Sequence, residues 1–172
     1  MKLALVLLIY SVLMIQEVRA ETFVGPTSLE EKVLKDADFM GPTQLKNVTA
    51  ESLSVMGPLT GKNIICKTLD VMGPVEVTHL KVEGDASIMG PLTAKQSYFE
   101  SLSIWGDETL LEDVEVKNIS IKKDKDKSQV LRLKGTSIVK GNITFESGQG
   151  IIEQGPDIKI QGEIKGAIVE KK

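Results

Sequence analysis

Few residues in this chain could start nucleophilic or metal chemistry. His79 is the only histidine and Cys66 the only cysteine. A Ser–His–Asp or Cys–His arrangement would need His79 as its base. It stands between Thr78 and Leu80, in an outward or corner position of a repeat, where the expectation is a surface histidine. Cys66 falls in an inward column of the same repeat. A thiol in an apolar setting has a raised pKa and is inert, so the expectation is a small buried hydrophobe. One histidine and one cysteine do not make a zinc site within one chain, and a single cysteine forms no intrachain disulfide. Paired carboxylates could serve glycoside hydrolysis. Asp38 and Asp70 share an outward column two coils apart, which reads as a solvated face, and no long corner insertion before residue 122 could wall a cleft. The sequence predicts no catalytic residue, no cofactor and no metal site.

The more informative residues are apolar. Met40, Met56, Met72, Met89 and Trp105 each stand immediately before a glycine. Strand alternation points them outward, as an apolar stripe along one edge. Such stripes and methionine-rich faces bind partners, which makes these five a candidate interaction edge. The competing reading is that corner geometry tucks them inward or beneath a terminal segment.

The elements that place this column follow from an internal repeat. Met-Gly-Pro recurs at Met40, Met56, Met72 and Met89, with Val24-Gly25-Pro26 before and Trp105-Gly106-Asp107 after. The glycines fall at positions 25, 41, 57, 73, 90 and 106, a constant period broken only by one extra residue between Gly73 and Gly90. Four and two residues before the glycine come apolar pairs such as Leu53 and Val55, Leu69 and Val71, and Leu102 and Ile104. The residue between them is small or acidic, giving the period-two alternation of a half-buried strand. Two further inward pairs follow each glycine, as Val75 and Val77, then Leu80 and Val82. Three short strands per repeat cannot bury an apolar face alone, so successive repeats must stack in parallel. The predicted fold is all-β: a single-stranded, triangular parallel β-helix (a β-solenoid) with coils of about 16–17 residues. Glycine marks one corner, where a side chain would clash. Gly84-Asp85 carries the one-residue insertion of the longer coil.

The chain divides accordingly. Residues 1–20 read as a secretory signal peptide, with Lys2, a thirteen-residue apolar run from Leu3 to Ile15, and Val18-Arg19-Ala20 at the cleavage site. That run is shorter than the roughly 20 residues of a membrane-spanning helix, and no later segment is apolar enough to span. Residues 21–39 form an N-terminal cap or first coil; Ser28-x-x-Glu31 could instead open a short helix as a capping box. Residues 40–121 are regular coils, 122–129 a charged loop, and 130–172 C-terminal coils and a tail. Asn47, Asn118 and Asn142 head N-x-S/T sequons, which matter only in a glycosylating host. Beyond residue 20 the chain loses Lys2, Arg19 and Glu17, leaving 19 basic and 23 acidic residues, a net charge of −4. That balance, with only 4% aromatics, argues against a nucleic-acid partner.

Short coils with L-x-V-x-G corners, as in Leu53-Ser-Val-Met-Gly57 and Leu102-Ser-Ile-Trp-Gly106, resemble the bactofilins over residues 22–168. The resemblance implies a small parallel β-helix that polymerises head to tail without nucleotide or catalysis. Bactofilins are cytoplasmic, whereas this chain opens on an export signal. The expectation is a non-enzymatic structural or scaffold protein of the cell envelope, periplasmic or secreted. Its partners would be copies of itself or an envelope or cell-surface component. The alternative is a secreted adhesin-like or carbohydrate-binding β-helix.

Overall fold

The computed structural model describes residues 20–123 and 128–172. Residues 1–19 of the predicted signal peptide and residues 124–127 of the predicted charged loop lie outside the described residues. The described chain is all β, with its strands joined in one parallel sheet that winds as a solenoid of about nine turns. From Thr27 to Met89 each coil is one long strand: Thr27–Met40, Thr43–Met56, Leu59–Met72 and Val75–Met89. Each pairs along its length with the next, as Val55 with Val71 and Val71 with Ile88. The capping-box helix does not form, because Thr27–Met40 is strand and pairs with Thr43–Met56 throughout.

Three corners bend these strands into a triangle. The first is the glycine column. Gly41, Gly57, Gly73 and Gly90 have φ between 138° and 153°. A Cβ on Gly57 would lie 2.6 Å from the carbonyl oxygen of Gly41, and the same contact recurs from coil to coil. The clash that selects glycine is therefore with the coil before, not within its own turn. Proline is tolerated here because the flanking residues carry the ladder: Gly25 and Thr27 donate to the carbonyls of Met40 and Pro42 on the next coil.

The second corner is a single residue with positive φ, at Glu31, Asn47, Asn63, His79, Gln96 and Asp113. Asn, Asp and His tolerate this left-handed region better than most side chains. At the third corner the ladder skips one residue, between Ala50 and Ser52. The longer coil places its extra residue there: the register shifts where Lys67-Thr68 meets Glu83-Gly84-Asp85.

The corners leave three flat sides, residues 43–46, 48–50 and 52–56 in the second coil, each with two side chains directed inward. Thr43, Leu45, Val48, Ala50, Leu53 and Val55 are all buried, and the same six columns continue through the later coils. Val55, Val71, Ile88 and Ile104 stack as one ladder, each at most 1% exposed. Burying such a side chain contributes about 1.5–3 kcal/mol, so each coil adds its own share of core. Where serine enters an inward column it is satisfied locally: Ser97 Oγ donates to Lys95 O at 2.7 Å and accepts from Leu80 N at 3.0 Å. At the start, the Phe23 ring stacks on Phe39 with centroids 4.8 Å apart.

Beyond Ile121 the same three sides persist, but the corners vary. Ile119 pairs with Ile143, Val130 with Ile151 and Gly150 with Ala167, so the length of chain between partners changes from one coil to the next. Gln129 is buried and donates to Lys122 O at 2.6 Å. No helix among the described residues is long and apolar enough to cross a membrane.

Candidate functional site

Period-two alternation at the end of the third side fixes the direction of the methionines. Val55 and Val71 point inward, so Met56 and Met72 beside them point out. The register places Val24, Met40, Met56, Met72, Met89 and Trp105 in one file up the solenoid, one residue per coil. The four methionines are 41–53% exposed and Trp105 37%. The glycine after each one presses its backbone against the neighbouring coil, so the corner leaves no room to tuck the side chain inward. The sequence-predicted edge is thus gathered into a single exposed line.

Its setting is distinct. The outward column on one side holds Asp38, Ser54, Asp70, Ser87 and Ser103. The column on the other side, past the prolines, includes Gln44, Thr60 and Glu76. Lysines begin one outward position further, at Lys46 and Lys62, where Lys46 pairs with Glu30. At the upper end Lys122 Nζ stands 6.0 Å over the Trp105 ring. No family model, curated protein or solved structure matches the chain.

The two residues with nucleophilic potential are kept apart from this line. Cys66 is 1% exposed, in file with Ala50 and Val82, and burial pushes its thiol from the ordinary 9.0 up to about 12. It is protonated at neutral pH and offers no thiolate. His79 is exposed at the second corner with φ 55°. Around it a shallow open depression includes Asn63, Ile65, Gln96, Tyr98 and Asp113. Tyr98 OH donates to Glu100 at 2.6 Å, and the bond holds the phenol above its usual pKa. Asp38 and Asp70 are exposed. Among the described residues no three His, Cys, Asp or Glu side chains gather as metal ligands.

The second-corner column was not read from the sequence, although a signal was present. Asn47, Asn63, His79 and Gln96 all stand six residues after the corner glycine. Two of them form a ladder, with Asn63 Nδ2 donating to Asn47 Oδ1 at 2.8 Å. Asn118 and Asn142 likewise serve a corner: their carboxamide oxygens accept from Asn142 N at 3.0 Å and Glu163 N at 2.9 Å. The three sequon asparagines therefore all have structural roles in the coils.

Proposed function

We propose that this protein is a non-enzymatic, exported structural protein that self-associates through the ends of its solenoid. One observation carries the reading. All three sides of the triangle reach both ends. Glu21–Val24 opens one ladder and Ile164–Lys165 closes it; residues 27–30 open the second and Ala167–Lys171 closes it; residues 32–34 open the third and Lys159–Ile160 closes it. Among the described residues each terminal strand pairs on one side only. Strand rows of this kind template further pairing unless blocked. On the farthest described strand Val169 is 40% and Ile168 63% exposed. The bactofilin-like coil supports the same head-to-tail arrangement. Export, with cleavage after Ala20 and a place in the periplasm or outside the cell, rests on the n-region, apolar run and Val-Arg-Ala site.

Electron microscopy and light scattering across concentration test the proposal. Concentration-dependent linear assemblies are expected, and Val169→Lys and Ile164→Lys should abolish them. A parent that stays monomeric at high concentration would overturn self-association and put the exported binding-module reading ahead. Loss of assembly in Met72→Lys, with Val169→Lys unaffected, would move the contact to the methionine edge. Intact mass of the exported protein tests cleavage: a species retaining residues 1–20 would refute it.

A further inference from the structure

We propose that the methionine ladder is a binding site for a soft monovalent cation, copper(I) or silver(I). Every methionine among the described residues lies in this one column, at Met40, Met56, Met72 and Met89. Neighbouring outward columns have drifted among Asp, Ser, Gln, Thr and Glu from coil to coil, while this one has kept its thioether four times over. A merely apolar edge would accept leucine or valine, as the position does at Val24.

Thioether sulfur is a soft ligand that selects copper(I)-like ions over zinc or magnesium. The ladder spaces it suitably. Successive coils lie about 4.8 Å apart, close to twice the length of about 2.3 Å that zinc makes to cysteine sulfur. Flexible, exposed side chains on adjacent coils can therefore reach one ion from opposite sides. The charge around them also suits a cation. The flanking columns bring Asp38, Asp70 and Glu76, and over the four methionine coils neither column holds a lysine or arginine. Lys122 over Trp105 adds positive charge at the far end, which places the site at Met40, Met56 and Met72. Binding here is simple coordination by neutral sulfur. No proton leaves and the metal keeps its oxidation state, so affinity should not follow pH as it does at histidine or thiolate sites. The site does not depend on self-association.

Titration of the purified protein with silver(I) in nitrate buffer, and with copper(I) against a colorimetric chelator, tests the proposal. The parent should bind both ions and leave zinc(II) unbound. Met56→Leu/Met72→Leu keeps the edge apolar and the coil intact while removing two sulfurs; it should lose at least about tenfold in affinity. Cys66→Ala should bind as the parent does, and affinity should hold between about pH 5 and pH 8, where a histidine site would change. A parent that binds neither ion would overturn the proposal. So would a double leucine variant as tight as the parent, or loss of binding in Cys66→Ala. Assembly that survives in the leucine variant while metal binding is lost separates this site from edge-to-edge association.

Discussion

The regular coils up to Ile121 and the coils that follow solve the same packing problem with different corners. In the first region each coil adds a nearly constant length of chain, and a glycine, a left-handed residue and a skipped residue recur at fixed places. In the second, coils of unequal length carry shorter strands, from the two residues of Ile138–Val139 to the five of Val130–Lys134, joined by varied turns. Both keep three parallel sides and an inward apolar ladder, since Ile119, Ile143 and Ile164 continue the file begun by Ala37 and Leu53. The difference teaches that the sides, not the corners, hold the fold. Corners tolerate extra chain because they face solvent, while a one-residue slip within a side would turn its whole apolar set outward.

Several substitutions should break or sharpen this contrast. The largest effect is expected for Val71→Asp, a charge placed at a position with 0% exposure between Val55 and Ile88. It should cost about 4 kcal/mol or more and unfold several coils together. Ile160→Asp, in a half-buried position near the carboxyl end, should cost less and leave hydrogen-exchange protection of the regular coils intact. Thermal melting of the two variants decides this, and a parent-like melt for Val71→Asp would disprove the ladder register.

A smaller pair of effects separates the corners. Gly57→Ala places a Cβ 2.6 Å from Gly41 O at φ 146° and should cost about 2–4 kcal/mol. Gly148→Ala meets nothing within 4 Å and has only its φ of 71° to bear, so about 1–2 kcal/mol is expected. Chemical denaturation of both separates the cost of a close backbone contact between coils from that of a positive φ alone.

Cys66 gives an effect that grows with pH. Its folded pKa is raised, so the native thiol keeps its proton where the unfolded chain has lost it. Stability linked to this group is complete below pH 9.0 and falls as pH climbs toward about 12. Cys66→Ala should remove that fall while costing little at pH 7, and denaturation at several alkaline pH values against the parent reads it out. The smallest effect is expected for Glu51→Gln, which removes an exposed ion pair with Lys67. Surface pairs of this kind are screened and contribute little, so the melting temperature should stay within error of the parent.

What the sequence disclosed follows the same division. Columns repeated at constant spacing, such as Leu53, Leu69 and Leu102 or the glycines themselves, announce their partners because period and register coincide. The inward place of Cys66 and the outward file of methionines came from that arithmetic. The left-handed corner did not, because Glu31, Asn47, His79 and Gln96 share a backbone conformation rather than a side-chain type. The later coils gave their apolar pairs, as Ile143 and Phe145, but not their register. With corners of unequal length, nothing in the spacing says that Ile143 lies beside Ile119. For the candidate site, position was legible while exposure was not, since whether a corner hides its neighbour depends on how closely two backbones approach.

The close backbone approach at the glycine spine has a further consequence. Because each spine glycine presses on the one a coil before it, the glycine corner is the same joint at each junction between regular coils. Length is then a quantity that can change in whole steps. Removing residues 57–72 would splice Met56 to Gly73 and shorten the rod by about 4.8 Å, with the inner ladder closing over the gap. A lineage could therefore gain or lose coils by duplication and excision of short in-frame segments, tuning how far the protein reaches without reworking any interface.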